Sequence, residues 1–175
     1  NAGISLSKQI GSSLVGNISN LNILVDGTEG IGILKRSDYV QTGNMIFTGS
    51  NIQTLNFGAN ALKSVLLRSD NGNITLDRNV TINNGQGNNV VLQANGVGTS
   101  VINNTGRTIT LDTGATTSIG LLASGSGTFQ NKGTVIVNEE NSPGMAVLSG
   151  ASGVNSGTVT LNGKKSLGTN TEGKL

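Results

Sequence analysis

The sequence predicts an all-β chain wound as a right-handed parallel β-helix, a β-solenoid of roughly 25–33 residues per repeat. Three observations predict it. Hydrophobic residues make up 34% of the 175 residues, in short Val, Ile and Leu runs, while aromatics are 2% and Pro occurs once against 27 Gly. Aliphatic strands broken by Gly, Asn, Ser and Thr read as all-β with many turns. One phrase is also written twice. Asn131-Lys-Gly133-Thr-Val-Ile-Val137 returns 24 residues on as Asn155-Ser-Gly157-Thr-Val-Thr-Leu161. Finally, two kinds of phrase alternate strictly along the chain.

The first kind is an aliphatic triplet: Gly32-Ile-Leu34, Val65-Leu-Leu67, Val90-Val-Leu92, Gly120-Leu-Leu122 and Ala146-Val-Leu148. Its final leucines lie 33, 25, 30 and 26 residues apart. The second is a Gly followed by an alternating strand, at Gly43–Phe47, Gly72–Leu76, Gly106–Leu111, Gly133–Val137 and Gly157–Leu161. Ile74, Leu76, Val80 and Ile82 alternate with Thr75, Asp77, Thr81 and Asn83, the pattern of half-buried strands. Ile109 and Leu111 alternate in the same way with Thr108, Thr110 and Asp112. Asn60–Asp70 offers a helical face in Leu62, Leu66 and Leu67, but Val65–Leu67 belongs to the repeat, so a strand is expected there.

Each repeat then makes one coil, resting on the last at the inter-strand spacing of about 4.8 Å. Small aliphatics fill a narrow interior, which accounts for the missing Trp and the scarce Phe. Gly and Asn are expected at positive-φ corners, and Asn131 should stack over Asn155 in a hydrogen-bonded ladder. The variable spacing places longer excursions around Asp38–Gly49 and Gly96–Asn103. The whole of 1–175 reads as one β-helical segment of a longer chain, since it opens on Asn1 rather than Met. Residues 1–57 are less regular, 58–163 form regular coils and 164–175 form a tail. A sandwich would not need the same phrase to return at this distance, and a propeller would carry aromatic signatures.

Charge excludes some partners. The net charge is +2, and adjacent basic residues occur only at Lys35-Arg36 and Lys164-Lys165. That is no basic stripe, so no nucleic acid is expected. No run of 18 apolar residues exists, so this segment is not expected to insert into a membrane as a helix. An isolated solenoid exposes unpaired strand edges and is expected to self-associate end to end.

Ile119–Gly163, reading "IGLLASGSGTFQNKGTVIVNEENSPGMAVLSGASGVNSGTVTLNG", resembles the passenger repeats of large bacterial type V autotransporter adhesins. It is most similar to those of the fusobacterial outer-membrane group, in which a Gly-Ile-aliphatic phrase and a small-residue turn precede Asn-x-Gly-Thr-Ile/Val. Residues 1–57 follow the pattern loosely. The resemblance implies an extracellular stalk or adhesin on the bacterial cell surface, exported by type V secretion and anchored by an outer-membrane barrel outside this segment. It implies a partner among host-cell or bacterial surface glycans or proteins, and a part in cell adhesion and virulence. It carries over no ligand residue.

Enzymatic chemistry finds little foothold. With no His, the usual general base and any Ser-His triad are missing. With neither His nor Cys, tight zinc or iron sites are excluded in practice. Asp77 and Asp112 both close an Ile-Thr-Leu-Asp stretch, which predicts neighbouring positions at one corner of adjacent coils. A solenoid that cuts polysaccharides needs such a pair, yet these acids, with Arg78 beside Asp77, read as solvated turn residues. Glu139-Glu140 precedes Pro143 in a turn. Ser69–Asn73 is the nearest approach to a calcium loop and reads as an Asn-Gly turn. Gly27–Gly32 and Ser124–Gly127 lack the Lys-Ser/Thr of a phosphate loop. Thr108/Thr110 and Thr158/Thr160 read as ordinary strand. No catalytic, cofactor-binding or metal-ligating residue is therefore expected.

A contact surface is expected where a loop leaves the coil. Leu34–Asn44 carries Lys35, Arg36, Asp38 and the only tyrosine, Tyr39, which could stack a sugar or anchor a protein. The expected function is attachment to host cells or other bacteria, or service as the stalk. The alternatives are a carbohydrate-active β-helix, of the lyase, hydrolase or tailspike kind, and a purely structural spacer.

Overall fold

Alternating aliphatic and polar residues can bury one face of a strand and wet the other. A computed structural model, which describes residues 2–6, 19–38 and 44–174, turns that pattern into eighteen strands and no helix among the described residues. The first coil holds β1 (Ala2–Leu6) and β2 (Leu21–Val25). The second holds β3 (Ile31–Lys35), β4 (Met45–Thr48) and β5 (Ile52–Phe57). The third holds β6 (Val65–Ser69), β7 (Asn73–Asp77) and β8 (Val80–Ile82). The fourth holds β9 (Val90–Asn95), β10 (Ser100–Asn103) and β11 (Thr108–Leu111). The fifth holds β12 (Ile119–Ser124), β13 (Thr128–Asn131) and β14 (Thr134–Val137). The sixth holds β15 (Pro143–Val147), β16 (Ser152–Asn155) and β17 (Thr158–Leu161), and β18 (Leu167–Thr171) lies above β15.

Like strands stack on like, always parallel, and the chain is a β-solenoid. The first sheet runs β1-β3-β6-β9-β12-β15-β18 and the second β16-β13-β10-β7-β4. The third runs β17-β14-β11-β8, with β2-β5 below it. Paired residues lie 24 to 34 positions apart, as Leu121 on Met145 and Ile31 on Val65 show. The doubled phrase holds its place: Asn131 pairs with Asn155 and Thr134 with Thr158.

Columns of equivalent residues build the core. From the first sheet come Ile33, Leu67, Leu92, Leu121 and Met145, all essentially inaccessible. The second sheet sends in Ile74, Val101 and Phe129, and the third Ile109 and Val135. Phe129 fits this narrow space because Gly153 faces it on the next coil. A Cβ at Gly153 would lie 2.4 Å from the ring.

The expected Asn ladder is present and one rung longer. Asn103 Nδ2 donates to Asn131 Oδ1 at 2.8 Å, and Asn131 Nδ2 to Asn155 Oδ1 at 2.8 Å. It stops below Asn103 because Leu76 takes that station, and Asn103 Oδ1 is left buried without a partner among the described residues. A second, outer ladder follows the third sheet. Asn56 donates to Asn83, while Asn162 donates to Asn138 and Asn138 to Asp112. Its C-terminal rungs point toward Asp112, because a carboxylate can only accept.

Gly and Asn take most of the positive-φ positions among the described residues, as expected, but one corner column is built otherwise. Glu29, Lys63, Asn88, Thr117, Asn141 and Lys165, each two residues before a first-sheet strand, form a left-handed column with no glycine, at φ between 43° and 56°. Other expectations are corrected. The Gly-plus-strand phrases do not share a face: Met45–Phe47 and Asn73–Leu76 belong to the second sheet, the later three to the third. The aliphatic triplets share the first sheet but slip in register. Leu67 and Leu92 point inward, whereas Leu34 pairs with Arg68, and Leu122 with Gln93, on the outside. Gly96–Asn103 is not an excursion, since Ser100–Asn103 is β10, and β18 occupies part of the stretch expected as a tail.

Candidate binding surfaces

The outer face of the first sheet is unusual for a surface. Its outward columns hold Ile31, Val65, Val90 and Ile119, and beside them Arg68, Gln93, Leu122 and Ala146. Val65, Val90, Leu122 and Ala146 form an apolar cluster separate from the core, with Ile31 and Ile119 packed against it. The left-handed corner column raises Glu29, Lys63 and Asn88 along one side. The result is a groove of about 440 Å³ that crosses several coils.

Polar groups interrupt the apolar floor at one place. Arg68 is held by Asp70, at 2.8 Å from Nε and 3.4 Å from Nη2, and Asn95 donates to the same carboxylate at 3.2 Å. Gln93 Nε2 donates to Ser124 at 3.4 Å, while Gln93 Oε1 is buried with no partner among the described residues. That oxygen is itself covered, so what the groove presents is an apolar floor with Lys63, Arg68, Glu29 and Asn88 along it, which suits a ligand with one apolar face and polar groups at its edge. Sugars and extended peptides both have that character.

The loop expected to make contact divides. Lys35 closes β3 at a station shared with Ser69, Ala94 and Ala123, so its side chain points inside and is fully buried. Its Nζ lies 3.5 Å from Asn73 O, and desolvation pushes its pKa below the ordinary lysine value. Strand alternation carried the warning: Ile33 inward makes Lys35 inward too. Arg36 and Asp38 remain on the surface as an ion pair at 3.3 Å, each about half exposed. Tyr39 lies outside the described residues.

Asp77 and Asp112 are not neighbours. Asp77 ends β7 at the turn from second to third sheet, where Arg107 Nε donates to it at 2.7 Å and Asn104 Nδ2 at 3.2 Å. The Arg107 hydrogen bond, then that of Asn104, hold its carboxyl below the usual range. Asp112 follows β11 at the turn back to the first sheet and accepts from Asn138 at 3.1 Å. Their shared Ile-Thr-Leu-Asp context misleads, because the stretches lie on different sheets. Other singled-out segments are bound up in turns. Glu139 accepts the Gly114 N–H at 2.6 Å, Ser69 Oγ donates to the carbonyls of Asn71 and Gly72, and Pro143 opens β15, where no ladder N–H need precede it.

Comparison of the chain with protein-family models, with curated proteins and with solved structures returned no match.

Proposed function

We propose that this solenoid is a segment of an extracellular passenger of a bacterial surface autotransporter, and that it serves attachment. Its partner is a glycan or protein on host cells or on other bacteria, and the contact surface is the outer groove of the first sheet. The observation that carries the reading is that groove. Apolar side chains line up outside the core over several coils, and Lys63, Arg68 and Gln93 line the same groove. The resemblance of Ile119–Gly163 to passenger repeats supports the cellular setting, and the in-register stacking of its two Asn-x-Gly-Thr-Val phrases fits it.

The test is binding of the labelled chain to epithelial cells and to a glycan array. Saturable binding that Lys63→Ala and Gln93→Ala each weaken about tenfold is the expected result. Tyr39→Ala distinguishes the groove from the Leu34–Asn44 loop. If only that substitution weakens binding, the contact lies on the loop. Absence of saturable binding would make the segment a spacer.

A further inference from the structure

Three of the eleven cationic residues gather at one corner. Ile109 pairs with Val80, so Arg107 and Arg78, each two residues earlier, occupy corresponding places on adjacent coils. Coils rise by about 4.8 Å, which sets two guanidinium-bearing residues close together. Lys132 stands exposed at the same corner one coil further on. Among the described residues Asp77 is the one acid lining this cleft of about 440 Å³, along with Thr48, Ser50 and Asn79.

The guanidinium groups are held by the protein rather than loose. Arg78 donates through Nε to Asn79 O at 3.0 Å and through Nη1 to Ile52 O. Those carbonyls fix its plane but carry no formal charge, and no ion pair to Arg78 occurs among the described residues. Arg107 is fixed through Nε on Asp77, which leaves its terminal nitrogens as donors. Asn79 Oδ1 accepts the Thr108 N–H at 2.9 Å, which leaves Nδ2 as a donor. The cleft is thus rich in fixed donors and has one positive charge more than its carboxylate balances.

We infer that this corner is a binding site for the oxyanion of an acidic polysaccharide, a sulfate ester or a uronate carboxylate. The two arginines and Asn79 Nδ2 hold the oxyanion. The hydroxyl of Ser50 and the second oxygen of Asp77 take the neighbouring sugar hydroxyls, while the Thr48 hydroxyl is already engaged with Asn51 in its own turn. Fork-shaped guanidinium donors match planar or tetrahedral oxyanions in this way. Asp77 argues for a sugar-borne group over a free anion, since a bare anion gains nothing from a carboxylate beside it. Three cations are too few for nucleic acid, which relies on many phosphate contacts. The site lies on a different corner from the first-sheet groove and does not depend on it.

The experiment is calorimetric titration of the full chain, at about 0.1 M salt, with a sulfated glucan, a polyuronate and neutral dextran. Saturable binding of either acidic polymer, with none of dextran, is expected, and which polymer binds identifies the oxyanion. Arg107→Gln should weaken it about tenfold, and Lys132→Gln, which leaves the Asp77 pair intact, about threefold. Lys164→Gln, at another corner, should leave it unchanged. Circular dichroism checks each fold, and the Lys132 variant decides if Arg107→Gln perturbs it. Equal loss from Lys164→Gln, equal binding of dextran, or no binding of either acidic polymer would overturn the inference.

Discussion

Single residues carry two kinds of strain here. The left-handed corner column is built without glycine, and Thr117 is its least suited member. A β-branched side chain in that region costs on the order of 1 kcal/mol. Thr117 Oγ1 also accepts the Asn88 N–H at 3.1 Å, so the side chain does structural work there. Asparagine tolerates the conformation and offers Oδ1 for the same bond. Thr117→Asn should therefore raise stability by about 0.5–1 kcal/mol, read from the midpoint of denaturant unfolding. Lys35 is the other case. Burial disfavours its charged form, so the folded chain binds fewer protons than the unfolded chain as pH climbs toward the ordinary value of 10.5. Stability should then rise with pH through that window and level off above it. In Lys35→Met that rise should be smaller. An equal slope in both proteins would show that Lys35 does not pay a desolvation cost.

At the scale of strands and coils, complementarity between neighbouring rungs decides what is allowed. In the Asn103–Asn131–Asn155 column each amide donates to the oxygen of the next, which satisfies the buried Asn131 and leaves only Asn103 Oδ1, at the column's end, without a partner among the described residues. Phe129 and Gly153 make the apolar counterpart: a large ring over a residue with no side chain. Gly153→Ala would drive a methyl group into a fully buried ring, and overpacking of this kind costs about 1–3 kcal/mol. Thermal unfolding should show that loss, and Phe129→Leu should recover part of it in the double variant. A double variant no better than Gly153→Ala alone would place the strain in the backbone instead.

The whole molecule is quasi-one-dimensional, with each coil touching chiefly its neighbours. β1 and β18 are the outermost strands of the first sheet, so each has one edge unpaired by a described strand. Next to β1 and β2 lies a cavity of about 550 Å³ lined by Ile4, Leu21, Ile23 and Val25. Toward the other end Val154, Leu161 and Leu167 are 58%, 45% and 51% exposed. All strands in a sheet run parallel, so only head-to-tail contact between copies continues the pairing, and such contacts do not close. A purified polypeptide of this sequence should form linear oligomers whose light scattering grows with concentration. Thr169→Pro in β18 should suppress them, because Pro removes a donor from the exposed edge. A monomer at all concentrations would mean that the end coils mask their own edges.

The fold was legible because a solenoid repeats its sequence where it repeats its geometry. Hydrophobic alternation gave the strands, phrase spacing gave the coil, and Asn131 with Asn155 gave the ladder. What sequence alone could not decide was which face a phrase takes. A slip of one residue exchanges inside for outside, and that slip separates inward Leu92 from outward Leu122. It also hides Lys35 in the core and sends two like-sounding Asp turns to different corners. The first-sheet groove and the Arg78–Arg107 corner arise from residues far apart in the chain. They meet only because coils stack in register, and that register is set by side-chain packing between coils.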